Sequence, residues 1–352
     1  MRKMSLMNTD QEGAAVPVLA LPRPYLLFLG AETESGYAKT AFGLRDWVPE
    51  DCVGEYACPG AISLGLPFLT PAQARARGAR SMVIGVANTG GVIVGSWIPR
   101  LVEALTAGLD LVSGMHARLE DTPVLKEAAR KHGRRLIDIR RPPVGIPIAT
   151  GRKRSGRRLL TVGTDCALGK KYTALALARA FEARGVDVDF RATGQTGILI
   201  AGGGIPMDAV VADFEAGAAE LLSPDATPDH WDVVEGQGSL FHPAYAGVSL
   251  GLLHGSQPDV IVVCHDPGRR YVLGLPDFTV PSLEETIDLN LRLGGRTNPA
   301  IRCGGVSLNT SRLGEAEASH LMAEAAARLN LPVADPMRGG PEFDRLVEGC
   351  LG

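Results

Sequence analysis

The sequence predicts an α/β fold in two parts: a Rossmann-like N-terminal domain and a three-layer, P-loop NTPase-like C-terminal domain. Three observations lead there. Short apolar runs that stop at glycine alternate with segments of helical spacing, the pattern of βαβ units in a parallel sheet. Midway, the strand-like LLTVGT runs straight into a glycine-bounded loop and then a strong helix former, the order strand, phosphate loop, helix. The chain also carries 43 glycines in 352 residues, many at the ends of apolar runs. Strand-to-helix turns of α/β proteins need such small residues near a ligand.

Taken in order, residues 1–20 read as a loose lead-in: they begin with basic residues, but their apolar stretch is short and holds Pro17, unlike a signal peptide. The Rossmann-like domain spans 21–145. YLLFLG (25–30), SMVIGVAN (81–88), LDLVSGM (109–115) and RRLIDIR (134–140) are strands, with helices over SWIPRLVEALTAG and TPVLKEAARKHG between them. No close glycine triplet follows the first strand, so a dinucleotide fingerprint is missing. Residues 146–158 form a basic joint, read either as a solvated linker or as a rim that attracts a polyanion. The P-loop domain occupies 159–352. Its helix KKYTALALARAFEARG stops at Gly185, and VDVDF, WDVVEG, DVIVVCH and IRCGGVSLN supply further strands. EAEASHLMAEAAARLN is an amphipathic helix near the end.

Composition narrows the function classes. A net charge of −3 gives no basic surface for nucleic acid. No run reaches the roughly 18 apolar residues that cross a bilayer. Six scattered cysteines without a CxxC pair read as reduced thiols in the cytoplasm. Cys52 and Cys58 lack a partner pair at zinc spacing, so no metal is expected there. The short apolar and glycine-rich segments suit a homo-oligomer binding small molecules.

The loop VGTDCALGKKYT (162–173) departs twice from the usual phosphate-loop pattern: Gly163 stands one residue early, and Lys171 replaces the hydroxyl residue that holds Mg²⁺. Its cradle is nonetheless intact. Consecutive backbone N–H groups at a helix N-terminus form an anion site worth about half a unit charge, and Lys170 adds a point charge. Gly163, Thr164, Asp165, Cys166, Ala167, Leu168, Gly169, Lys170 and Lys171 are the binding candidates. Lys171 cannot coordinate a cation, and two like charges 4 Å apart cost roughly 4 kcal/mol at an effective dielectric near 20. The loop therefore suits an anion neutralised without metal, such as the pyrophosphate of coenzyme A, and Mg²⁺ is not expected.

VGTDCALGKKYTALAL, RATGQTGILIAGGGIPMDAVVADF and VVEGQGSLFHPAYAGVSLGLLHGSQPDVIVVCHDPGR together resemble a bacterial and archaeal family long known as a domain of unknown function. Some of its members are D-glutamate N-acetyltransferases. The resemblance spans most of the chain and implies a Rossmann-like domain, a P-loop domain and acetyl-CoA as co-substrate. The same segments are similar to dethiobiotin synthetase, whose GTD-type loop has the same early glycine; Lys171 remains a departure. That layout implies an acid role for Glu235 at the end of a central strand, and an adenine site at Asn309.

Acetyl transfer to an amine needs a base to remove the ammonium proton and donors for the tetrahedral oxyanion. Glu235, His242, His265 and Asp165 are the candidate bases. Three of them also have a plain structural use: bracing backbone N–H groups for Glu235, closing a turn for His242, capping the loop for Asp165. Arg269, Lys39 and Arg45 are candidate partners for a dicarboxylate substrate, and Thr193, Gln195 and Thr196 of TGQTG are candidate donors. The expected activity is transfer of acetyl from acetyl-CoA to an acidic amino acid, D-glutamate first, giving N-acetyl-D-glutamate. An ATP-dependent ligase or kinase of the dethiobiotin-synthetase type, or a non-catalytic CoA- or nucleotide-binding regulator, are the alternatives.

Overall fold

The computed structural model describes residues 21–88 and 90–352; the lead-in over 1–20 lies outside them. Backbone contacts divide the chain into two units. One runs through Arg141 and takes back Gln195–Pro206; the other comprises Pro142–Gly194 and Met207–Gly352.

The first unit alternates β1 (Tyr25–Phe28), α1 (Lys39–Trp47), β2 (Cys52–Tyr56), α2 (Pro71–Ala76), β3 (Ser81–Ile84), α3 (Ile98–Thr106), β4 (Asp110–Ser113), α4 (Pro123–His132) and β5 (Leu136–Asp138). Its sheet is parallel, in the order β2-β1-β3-β4-β5. This is the flavodoxin-like one of the two common doubly wound orders. β1, β3 and β4 are buried throughout, as strands covered on both faces must be.

The second unit starts with β6 (Arg157–Gly163), α5 (Lys170–Ala183) and β7 (Val188–Arg191). The chain then returns to the first unit as α6 (Gln195–Ala201). There α6 packs on α1, Thr40 and Thr196 share a 3.0 Å hydrogen bond, and Arg23 donates to the carbonyls of Leu199 and Ile200. Back in the second unit follow α7 (Glu215–Leu222), β8 (Trp231–Val234), α8 (Ala246–Ser256), β9 (Val260–His265), the hairpin β10 (Tyr271–Val272) and β11 (Leu275–Thr279), α9 (Leu283–Gly294), β12 (Arg302–Leu308), α10 (Glu315–Leu329), β13 (Val333–Ala334) and α11 (Gly340–Leu351). The sheet order is β13-β12-β9-β6-β8-β7, all parallel. The chain departs from β6 to one side and later resumes on the other. That reversal is where ligands of open α/β sheets bind. Among the described residues no helix is long and apolar enough to cross a membrane.

Two basic residues of the joint turn inward rather than standing in solvent. Arg154 donates to the carbonyls of Ser223 and Gly255, and the fully buried Arg158 donates to Ser223 Oγ and the carbonyls of Ser155 and Pro224. Burying a guanidinium is tolerable only when its N–H groups find such acceptors, so these residues clasp the second unit from within.

Candidate anion-binding and catalytic site

β6 ends at Gly163 and α5 begins at Lys170, with Gly169 between at φ +110°, a backbone that side chains disfavour. Arg269 shapes the loop from outside: it donates to the carbonyl of Cys166 at 2.5 Å and of Ala167 at 3.3 Å. In a trans peptide the carbonyl and the following N–H point opposite ways, so these bonds turn the N–H groups of Ala167 and Leu168 to the other side. With Gly169 they meet no acceptor among the described residues. Three consecutive unsatisfied donors running into a helix N-terminus form an anion cradle. Lys170 is buried beside them, with Nζ donating to the Asp165 carbonyl at 2.7 Å, and burial lowers its pKa.

Asp165 is fully buried and committed. One carboxylate oxygen accepts the Cys166 N–H at 2.6 Å; the other accepts Arg269 Nη1 and the Leu273 N–H, both at 2.8 Å. It thereby ties the hairpin and Arg269 to the loop, a structural use rather than that of a free base. Thr173 is likewise spent: buried, it shares a 2.7 Å hydrogen bond with Ser307 Oγ and accepts the Cys264 thiol at 3.5 Å.

Glu235 follows β8. Its Oε2 accepts the N–H groups of Thr193 at 2.9 Å and Gly194 at 3.0 Å, while Oε1 takes no hydrogen bond among the described residues. Burial raises its pKa, against the pull of those two N–H groups and Lys171. The Thr193 hydroxyl donates to the Glu235 carbonyl and accepts from Gln237. Gly236 lets β8 approach β6: a Cβ there would stand 1.6 Å from the Thr161 carbonyl oxygen and 3.2 Å from Lys170 Cδ.

His265 ends β9, sharing a 2.9 Å hydrogen bond from Nδ1 to Thr164 Oγ1, and burial lowers its pKa. The Asn309 N–H donates to the His265 carbonyl, and Asn309 Oδ1 caps its own turn by accepting the Ser311 N–H. His242 is buried; its Nδ1 accepts the Ala244 N–H at 3.1 Å, its ring lies 4.5 Å from that of Tyr245, and its Nε2 stands 3.9 Å from Asp165 Oδ1.

The remaining candidates lie in the first unit. Lys39 is exposed at the start of α1. Arg45 pairs with Asp46, donates to the Leu64 carbonyl and lies over Phe42. Gln195 and Thr196, expected at a strand end, instead open α6. Thr193 stays with Glu235 in the second unit. Arg269 as loop clamp and Leu273 as a ligand of Asp165 were not legible, because partners over a hundred residues apart leave no local pattern.

Among the described residues two groups of side chains come close enough to share an ion: Asp165, Cys166 and His242; and Asp189, His230 and Asp232. In both, a guanidinium already occupies a carboxylate, Arg269 on Asp165 and Arg191 on Asp232, which opposes a second cation by simple repulsion.

Comparison with known proteins adds the lineage. Residues 50–142 match the model described as Domain of unknown function (DUF1611_N) Rossmann-like domain, and residues 147–347 match Domain of unknown function (DUF1611_C) P-loop domain. A D-glutamate N-acetyltransferase of Tritonibacter scottomollicae is 52% identical over 326 residues, 92% of this chain and 97% of that protein. One from a Pseudoalteromonas species is 47% identical over 318 residues, 90% and 96%. The crystal structure of a DUF1611 family protein from Anabaena variabilis superposes with a TM-score of 0.84 at 32% identity, covering 94% of this chain and 99% of that one. Matched in both of its domains and aligned with these relatives almost end to end, the chain belongs to the DUF1611 family.

Proposed function

We propose that this protein transfers the acetyl group of acetyl-CoA to the amino group of D-glutamate, giving N-acetyl-D-glutamate and free CoA. The names of the two curated relatives support the acceptor and the reaction. The observation that carries the donor is the run of unsatisfied N–H groups at Ala167, Leu168 and Gly169, flanked by buried Lys170. It offers donors and charge to a phosphate of CoA. It offers no hydroxyl to Mg²⁺, since Lys171 fills the usual place and Thr173 is turned onto Ser307. The transfer is accordingly metal-free in this reading.

The amine must attack as the free base. Among the candidates Glu235 has the fitting combination: one oxygen fixed by two backbone N–H groups, the other open, and a pKa raised by burial. A carboxylate so tuned takes up the ammonium proton more readily than an ordinary one. The nitrogen then bonds to the thioester carbon, the C–S bond breaks, and CoA leaves as a thiolate that takes up a proton.

Thiol release from acetyl-CoA, measured with D- and L-glutamate in EDTA, tests this. Release with D-glutamate alone supports it. No release, with Mg²⁺-dependent ATP cleavage instead, overturns it in favour of a synthetase-type reaction.

A further inference from the structure

The sequence offers His242 as a base, and its surroundings point to a different use. Nδ1 accepts the Ala244 N–H at 3.1 Å. A ring nitrogen that accepts cannot carry the proton, so the neutral imidazole holds its hydrogen on Nε2. That Nε2 finds no hydrogen-bond acceptor among the described residues, and the nearest carboxylate oxygen, on Asp165, is 3.9 Å away. Asp165 has both oxygens engaged, by the Cys166 N–H on one and by Arg269 and the Leu273 N–H on the other.

The ring has little freedom to choose another role. The side chain is 4% exposed, its rim rests on Tyr245, and its backbone is held between Ser239 and Tyr245 by hydrogen bonds of 3.0 and 3.2 Å. A nitrogen of this ring, an oxygen of Asp165 and the Cys166 sulfur all lie within 4.8 Å of one another, which places the imidazole beside the residue that precedes the Ala167–Gly169 cradle. The side chain is almost wholly buried, yet this one N–H keeps an open side and no protein acceptor among the described residues, so a ligand acceptor there gains a hydrogen bond at little cost. Such a donor, held rigid beside an anion site, is matched by an anion.

We infer that His242 donates its Nε2–H to the anion held by the loop, acting as a side-chain wall of the cradle and not as a proton acceptor. The inference rests on the loop being an anion site, as the proposed function requires. It adds that one ligand group must be an oxyanion reached from both the α5 N-terminus and the β8–α8 connection. A phosphate, with three or more acceptor oxygens, satisfies that demand.

Calorimetric titration of the full-length protein with CoA and, separately, with inorganic pyrophosphate tests it in the wild type, H242A and H242Q. The expected result is a loss of about tenfold in affinity for both ligands in H242A. Most of it returns in H242Q, whose amide keeps a donor, and in turnover the defect falls on KM for acetyl-CoA rather than on kcat. Unchanged affinity in H242A overturns the inference. So does a defect confined to kcat and shared equally by H242Q, the signature of a base. If the wild type binds pyrophosphate but not CoA, the donor assignment under the proposed function fails. The pyrophosphate affinities of the variants still decide the role of His242. Should the variants misfold, ¹⁵N NMR of the wild type replaces them: a non-protonated Nδ1, with an Nε2–H resonance that shifts on adding pyrophosphate, is expected, and a protonated Nδ1 overturns the inference.

Discussion

Cys166 and Ala167 turn their carbonyls to Arg269, and this single guanidinium decides which side of the loop offers donors. From the sequence Arg269 is a candidate partner for a substrate carboxylate; in the structure its Nη1 donates to Asp165 Oδ2 of its own chain. The loop residues themselves were legible because their chemistry is local: glycines where the chain bends, a lysine at the helix start. Glu235 was legible only as an acid at a strand end, and its two oxygens now have separate uses. Glu235→Gln keeps an acceptor for the Thr193 and Gly194 N–H groups while removing the base. We expect kcat to fall by about 10²- to 10⁴-fold with KM for acetyl-CoA little changed. In the wild type kcat/KM should fall as pH drops through a pKa above the usual range for glutamate, because burial raises it and only the ionised form accepts a proton. A flat acid limb, or an active Glu235→Gln variant, counts against this assignment.

At the scale of elements, the strands that were easy to see are the ones buried on both faces. β9, Val260–His265, is an unbroken apolar run until its last residue, and β1, β3 and β4 behave alike. β2 was missed because CVGEY carries a glycine and an acid. Glu55 is buried there, held by the Ser63 hydroxyl at 2.6 Å and the Leu64 N–H at 2.7 Å, compensation that no local pattern displays. The β10–β11 hairpin was missed for the opposite reason: its exposed Tyr271, Leu273 and Phe278 show neither burial nor alternation. The chain just past β8 comes close to β6 only because residue 236 is glycine, so Gly236→Ala, whose methyl has no room beside the Thr161 carbonyl, should destabilise by about 1–3 kcal/mol. A denaturant midpoint equal to that of the wild type would show that the strand ends tolerate separation.

Over the whole molecule, pH acts on stability through a second ionic cluster, near the first residues of β7 and β8. His230 lies between Asp187 and Asp232, which also accepts from Arg191 and Ser223. The hydrogen bond to Asp232 leads in raising the His230 pKa to about 9, against burial. A histidine charged more readily in the folded state stabilises fully below its unfolded pKa of about 6.5; the contribution is lost as pH rises through about 9. Burial alone would raise Asp232, but Arg191, His230 and Ser223 together bring it down to about 2, so its contribution is lost as pH falls toward that value. Unfolding free energies at pH 7 and pH 9.5 should differ by on the order of 2 kcal/mol, and His230→Asn should remove most of that difference.

The return of the chain to supply α6 has a consequence for synthesis. A ribosome that has made β1 through β5 has not yet made the helix that packs on α1 and gives Arg23 its carbonyl partners. The loop, α5 and β7 must emerge first. The nascent first unit therefore waits with an apolar face uncovered, and a truncation in the basic joint leaves that wait without end. The N-terminal half is not a transferable cassette; a gene fusion that borrowed only its strands would inherit a unit with its last wall missing.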